Sequence, residues 1–170
     1  SQHSFQSFFN KNGDFIKSKR NDIFCGEFVK YKDDFILKVL QAQKNYIKGD
    51  YYNYEILVTD SNYNVKSFGL PFYNEVSLST QKELFVTKDG VLITRMFNDT
   101  IFRYANGGIS PAYVLQYSNK KYESIPQDDE ELFETEEQSG YCFCSSFENN
   151  ATHQCLCLDN DADNLYIYAV

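Results

Sequence analysis

The chain has 170 residues, of which 17% are aromatic, nearly all of them Tyr (14) and Phe (15), with no Trp. This length suits one domain with a buried core, and no apolar run approaches the roughly 18 residues of a membrane helix, so we expect no membrane span. The net charge is −8, but seven of the 24 acidic residues lie in the run 127–137. The remaining chain is near neutral and lacks the basic stripe that phosphate binding needs, so we expect no nucleic-acid partner.

In chain order, the first clear elements form a meander of four predicted strands. Before them, residues 1–26 hold only one short apolar run, Phe5 to Phe9. The four strands are separated by a turn at Asp33-Asp34, a polar loop and a turn at 60–62, and they are predicted over 27–32, 35–40, 51–58 and 63–68.

The pattern then restarts twice. The clearest hairpin has strands 92–97 and 100–104 on either side of Asn98-Asp99, because β-branched and aromatic runs flank two turn-forming residues. The second unit is completed by predicted strands at 82–86 and 113–117. The third unit follows the acidic run and is predicted to have strands at 141–147, 152–158 and 165–170.

Units of roughly 27–68, 81–117 and 141–170 predict a single all-β domain, 1–170, of β-propeller-like architecture, with about three four-stranded antiparallel meander blades. A sandwich or jelly roll has similar strand spacing but need not restart. Three blades cannot close a ring, since propellers have roughly four to eight. The open sheet edges therefore predict either a longer chain or self-association with another copy.

The second unit resembles a known family. Residues 99–104 (DTIFRY) and 106–115 (NGGISPAYVL) are similar to the "DTIY…ng.isPaYvldfg" pattern of six-bladed β-propeller proteins of Bacteroidetes, and residues 54–60 and 68–72 (FGLPF) are similar to the strand and loop before it. The likeness covers roughly residues 50–118, and the chain resembles the C-terminal half of those proteins. It implies an exported protein, often a lipoprotein, in the periplasm or at the cell surface, and it supplies no catalytic residues.

Four of the five cysteines alternate along two strands of the third unit. If Asn149-Asn150 is a two-residue turn, Cys142 opposes Cys157 and Cys144 opposes Cys155 on one face of the hairpin. Zinc is usually held by closer C-x₂-C knuckles, and opposed cysteines lie near the upper limit for a disulfide. The pattern favours small buried apolar side chains, with cross-strand disulfides or a four-cysteine metal site as alternatives, while Cys25 has no partner in this scheme.

No other motif carries recognisable chemistry. The acidic run 127–137 lacks the spacing and Gly of a calcium loop and is predicted to be a solvated connection, with one helical turn as an option. The two histidines, His3 and His153, neighbour no nucleophile motif, and no phosphate or dinucleotide fingerprint occurs. We expect no metal and no cofactor, and the catalytic residues, if there are any, are unknown.

The composition and the resemblance together favour a non-enzymatic, exported binding or scaffold module. Exposed tyrosines suit a glycan or peptide ligand because their rings are amphipathic, and the candidates are Tyr51, Tyr52, Tyr73 and Tyr113. Packing between blades is the simpler role for the same rings. Two alternatives stay open: a hydrolase or lyase acting on a glycan or peptide, and a structural fragment that another chain completes.

Overall fold

The computed structural model describes residues 4–21, 23, 25–39, 50–72, 82–95, 98–114, 127 and 130–131, together with the backbone of three later strands. Its elements are β1 (Ser4–Phe9), β2 (Phe15–Asn21), β3 (Glu27–Tyr31), β4 (Asp34–Lys38), β5 (Tyr54–Thr59), β6 (Val65–Pro71), β7 (Leu84–Thr87), β8 (Gly90–Ile93), β9 (Thr100–Ala105), β10 (Gly108–Val114), β11 (Cys142–Asn149), β12 (Gln154–Asn160) and β13 (Tyr166–Ala169).

The strands form four antiparallel sheets, which confirms the all-β prediction. Sheet I has the order β3-β4-β5-β6, and sheet II has the order β10-β9-β8-β7. Sheet III holds β11-β12-β13, and β1-β2 form a separate pair. The first strand of sheet II contacts the first strands of both sheets I and III. Successive meanders joined through their first strands are compatible with blades, and the described residues show no closed ring.

Two predicted turns are displaced. The turn between β3 and β4 is formed by Lys32 and Asp33, not by Asp33-Asp34, because Tyr31 pairs with Asp34 and Lys32 takes a φ of 55°. Strand β8 ends at Ile93, and Ile93 pairs with Phe102. The connection to β9 is therefore residues 94–99, and the predicted two-residue turn at Asn98-Asp99 is wrong. Two residues after β8, the Arg95 side chain turns inward to an ion pair with Glu55.

The outer strand of the second unit also differs from its prediction. In addition, the start of the chain forms two strands that were not predicted. Strand β10 begins at Gly108, directly after the turn at Asn106 and Gly107, where it was predicted only from Tyr113. Strands β1 and β2 form a hairpin where only an apolar run was recognised. The sequences of β1 and β2 do not alternate strictly between apolar and polar residues, so they lack the pattern of a half-buried strand, and Phe5 and Ile16 are exposed in the structure.

The core lies on both faces of sheet I. One face packs Ile36, Ile56 and Val58 against sheet II, where the buried partners are Leu84, Val91, Ile93 and Tyr104. The other face buries Leu37 and Leu57 together with Ile23 and Val39. Strand β5 is buried from Glu55 to Thr59 because it is an inner strand covered on both sides, and its continuous apolar run reflects this.

The predicted cysteine pairing is wrong. Strand β11 ends at Asn149 and β12 starts at Gln154, so the connection is longer than two residues. A register shift between Cys144 and Ser146 displaces the pairing further. As a result, Cys142 pairs with Asn160, Cys144 with Leu158, Cys157 with Ser146 and Cys155 with Glu148. No two of the four cysteines oppose each other along this ladder.

Candidate functional site at the long-connection end

The two ends of sheets I and II differ in the length of their connections. At one end, here called the tight-turn end, the strands are joined through residues 32–33, 60–64, 88–89 and 106–107. At the other end, the long-connection end, the strands are joined through residues 39–53, 72–83 and 94–99, and β10 is followed by residues 115–141. Binding surfaces are usually built from long connections on a rigid scaffold, so the long-connection end is the candidate functional surface.

A buried ion network lies at this end, between sheets I and II. The Lys38 ammonium contacts Glu55 Oε1 at 3.1 Å and also pairs with Glu83. Arg95 Nε donates to Glu55 Oε2 at 2.7 Å, and Arg95 Nη2 donates to the Pro71 carbonyl at 2.7 Å. Lys38, Glu55, Glu83 and Arg95 are each less than a tenth exposed. The network therefore ties four strand ends of the two sheets together.

The local backbone explains why these side chains meet. Lys38 ends β4 and Glu55 lies near the start of β5, and the N–H of Val39 donates to the Glu55 carbonyl at 2.8 Å. In sheet II, Thr94 donates its N–H to the Glu83 carbonyl at 3.0 Å, which extends the β7–β8 ladder by one pair and places Arg95 next to it. Lys38 and Glu55 are thus neighbours in sheet I, and the packing of sheet I on sheet II brings them to Glu83 and Arg95.

Glu27 joins the network from the first strand of sheet I. Its carboxylate accepts the backbone N–H of Glu83 at 2.8 Å and that of Leu84 at 3.2 Å. Burial raises the pKa of Glu27, while the Leu84 N–H and the charge of Lys38 oppose that rise. Burial likewise lowers the pKa of Lys38 against the opposing charge of Glu55. Both directions show that desolvation exceeds the stabilisation that the partners give to the charged forms.

The acidic oxygens of this network are mostly occupied by partners within the protein. Glu55 uses both oxygens and Glu27 caps a strand, so neither carboxylate is held ready for proton transfer to a substrate. Among the residues that the structure describes, no hydrogen-bond partner reaches the buried atoms Glu83 Oε1 and Thr94 Oγ1, and these two residues pair directly beyond the ends of β7 and β8. Within the described ranges, no three His, Cys, Asp or Glu side chains are grouped so as to hold a metal ion. The network is therefore a buried contact between the strand ends of sheets I and II.

A second polar contact joins the sheets at the tight-turn end. The Tyr104 hydroxyl donates to Asp34 Oδ2 at 2.6 Å, and Lys66 pairs with Asp34 Oδ1. Burial of the Asp34 carboxylate is outweighed by the hydrogen bonds from Lys66 and Tyr104, which lower its pKa. Burial, together with the Asp34 contact, raises the pKa of Tyr104. The two sheets are thus pinned by polar contacts at both ends and by apolar packing between them.

The predicted tyrosines have different surroundings. Tyr51 and Tyr52 lie just before β5, at the long-connection end; Tyr51 is half-buried with its ring 6.3 Å from Phe68, and Tyr52 is 45% exposed. Tyr113, near the end of β10, is half-buried beside Arg103, whose Nη2 donates to the Tyr113 hydroxyl at 3.2 Å. Tyr73 lies outside the described residues. Their role in ligand binding stays a prediction.

The sequence reading missed the network altogether. A usable signal was present, because Lys38 interrupts the apolar run 35–39 and Glu55 interrupts the run 54–58. A charge inside an otherwise buried strand needs a partner, since an unpaired buried charge is strongly unfavourable. The identity of that partner depended on which sheets pack together, which the spacing of strands does not specify.

Comparison with known proteins gives a likeness of fold. No family model matches the chain. No curated protein sequence matches it either. Among solved structures, the crystal structure of a "Putative exported protein" from Bacteroides fragilis is similar with a TM-score of 0.75 at 16% sequence identity. The likeness covers 96% of this chain and 51% of the other, so this chain spans about half the length of that protein. At this identity the likeness concerns the fold.

No helix among the described residues has the length and apolar character required to cross a bilayer.

Proposed function

We propose that the protein is an exported, non-enzymatic binding module of β-propeller type, and that its ligand, a glycan or a peptide, docks on the long-connection end. The observation that carries this proposal is the unequal length of the connections at the two ends of sheets I and II. In folded domains, binding residues lie most often on long connections held by a rigid scaffold, whereas tight turns offer few positions for recognition.

The buried ion network supports this use of the surface. Lys38, Glu55 and Arg95 hold the strand ends from which the long connections start, so the base of the surface is fixed. A fixed base reduces the ordering that a ligand must impose on binding and so favours affinity. Tyr52 is the exposed aromatic side chain best placed to stack on a sugar or a peptide in this part of the chain.

Export is proposed from the likeness in fold to the Bacteroides fragilis protein, which agrees with the resemblance to exported propeller proteins. The alternative of a hydrolase or lyase receives no support from the ion network, because its carboxylates face Lys38, Arg95 and backbone N–H groups.

The proposal is tested with an array of oligosaccharides and a library of short peptides, each probed with the fluorescently labelled protein. We expect saturable binding to one class, and a loss of at least about 1 kcal/mol of binding free energy, or fivefold in affinity, in Tyr52→Ala. Lys88→Ala, an exposed change at the tight-turn end, is the matched control and should bind normally. Binding that is unchanged by Tyr52→Ala but reduced by Lys88→Ala would place the site at the wrong end. Turnover of a bound oligosaccharide or peptide would favour the enzymatic alternative.

A further inference from the structure

Three aromatic rings pack together on the outer half of sheet I, toward the long-connection end. The Phe68 ring on β6 lies 4.5 Å from the Tyr54 ring and 6.3 Å from the Tyr51 ring, measured between ring centroids. Phe68 is 42% exposed, and it lies on the face of sheet I turned away from sheet II because it pairs with Leu57. These three rings, here called the aromatic platform, form a continuous apolar surface that is partly open to solvent.

Backbone hydrogen bonds hold the aromatic platform in place. The Tyr54 N–H donates to the Tyr51 carbonyl at 3.1 Å, which closes a turn over residues 51–54. The Phe72 N–H donates to the Asn53 carbonyl at 3.0 Å and ties this turn to the end of β6. The Pro71 carbonyl also accepts the hydrogen bond from Arg95 of the ion network. The rings are therefore fixed before any ligand arrives, which reduces the ordering that binding requires.

The polar groups beside the aromatic platform carry no charge. The turn 51–54 and residues 67–71 of β6 contain no charged side chain, and the flanking residues Asp50 and Lys66 have opposite signs. Asn53 is exposed, and its amide can donate and accept hydrogen bonds, as can the tyrosine hydroxyls of the turn. A surface of rings, hydroxyls and an amide suits an uncharged ligand that is apolar on one face and rich in hydroxyl groups.

The edge of β6 next to the aromatic platform disfavours an extended peptide. Leu70 has a φ of 56°, in the left-handed region, and Pro71 has no N–H to donate. A peptide that adds to a sheet needs a regular row of backbone donors and acceptors along the edge strand. The backbone at this part of β6 does not offer such a row, so main-chain pairing cannot hold a peptide across the rings.

From these observations we infer that the aromatic platform is a binding site for an uncharged glycan. The face of a pyranose ring that carries C–H groups stacks on Phe68, and the sugar hydroxyls bond to the Asn53 amide and to the hydroxyls of Tyr52 and its neighbours. This inference rests on the proposed binding function, because it names the ligand class of the same surface.

The test measures binding of uncharged hexasaccharides of β-linked glucose, xylose and mannose by isothermal titration calorimetry. A hexagalacturonate is the charged comparison, and a proline-rich decapeptide is the peptide comparison. We expect saturable binding of at least one uncharged hexasaccharide, with an affinity that changes by less than about twofold between about 50 and 500 mM NaCl. Saturation-transfer NMR should show the strongest transfer from the aromatic protons of the protein to the C–H protons on one face of the sugar.

Variants of Phe68 locate the site. Phe68→Ala should weaken binding about tenfold or more, whereas Phe68→Tyr, which keeps an aromatic ring, should bind within about threefold of the parent protein. Phe68→Leu keeps apolar bulk and removes the stacking ring, so it should also bind weakly even if the alanine variant is unstable. Val114→Ala is the matched control, because it shortens an exposed apolar side chain on β10, the outer strand of sheet II, and it should bind normally.

Two results would overturn the inference and leave the proposed function standing. One is glycan binding that depends on Tyr52 but is unchanged in Phe68→Ala and Phe68→Leu. The other is a preference for the hexagalacturonate or the decapeptide over all three uncharged hexasaccharides, again with dependence on Tyr52. Absence of binding to any oligosaccharide or peptide would instead refute the proposed function, and the inference with it.

Discussion

The buried ion network offers the sharpest test of how sheets I and II are held together. We predict that Glu55→Gln destabilises the protein by about 2–4 kcal/mol. Removing one partner of a buried ion pair costs about 3–5 kcal/mol, and roughly 1 kcal/mol is recovered because the glutamine carbonyl still accepts one hydrogen bond. The expected loss of stability is large because the Glu55 carboxylate pairs with both Lys38, at 3.1 Å, and Arg95, at 2.7 Å. All three residues are less than a tenth exposed.

The free energy of unfolding is measured by urea denaturation at pH 7, and thermal unfolding should show a lower midpoint by about 6–12 °C for a chain of this size. The control is Asp89→Asn, an exposed acid in the turn between β7 and β8, which should change stability by less than about 0.5 kcal/mol. The pH dependence gives a second signature. Burial already lowers the pKa of Lys38, and loss of the Glu55 charge lowers it further, so the variant should recover part of its deficit as pH rises from 7 to 10 and Lys38 loses its proton. A deficit below about 1 kcal/mol at pH 7, or one that grows toward pH 10, would refute a network of buried charges that depend on Glu55.

Three further predictions follow from contacts outside the network. Tyr104→Phe removes the 2.6 Å hydrogen bond to Asp34 and should cost about 1 kcal/mol of stability at pH 7, a modest value because Asp34 is partly solvated. Because the folded state lowers the pKa of Asp34, this contribution is present above about pH 4 and is lost as pH falls further. The unfolding free energies of the two proteins, measured in urea, should therefore converge in acid, and a constant difference would contradict the assignment. Gly90→Ala should destabilise the protein by about 2–4 kcal/mol, because a Cβ there would lie 2.4 Å from the Tyr104 carbonyl oxygen. Gly108→Ala, where a Cβ would have no neighbour within 4 Å, should have little effect in the same thermal melts. Equal midpoints for the two variants would contradict the packing of β8 on β9. Asn10→Ala removes the side-chain acceptor that orders the turn between β1 and β2. Hydrogen exchange of the β1–β2 amides should therefore become about fivefold faster, or about 1 kcal/mol less protected, while β4 and β5 stay unchanged. A global rather than local loss of protection would show that the hairpin is not a separate unit.

The fold class, the meander order and most strand positions could be predicted from the sequence because they depend on local features. Runs such as Tyr54–Thr59 and Phe35–Lys38 are rich in β-branched and aromatic residues, and turn residues such as Asp60 and Asn62 carry their own hydrogen-bonding groups. The restarts of the meander could also be predicted, because the strands and turns of each meander follow one another along the chain.

Exact register was less predictable. The predicted end of β8 and the predicted pairing of β11 with β12 were wrong. A bulge or an inward-turning side chain can shift a strand ladder by one or more residues at a small local cost in free energy. Hairpin β1–β2 was missed because its sequence lacks the alternation that marks a half-buried strand, in keeping with the exposure of Phe5 and Ile16.

By itself, the amino-acid sequence determined that this chain builds successive antiparallel meanders, because strand propensity and turn chemistry act between neighbours in the chain. Only the tertiary structure decided which charges meet and which surfaces stay open. Lys38, Glu55, Glu83 and Arg95 come from four separate strand ends, and the exposure of Phe28 depends on what covers its face of sheet I. Such contacts join residues that are distant along the chain, and they form only once the sheets have stacked.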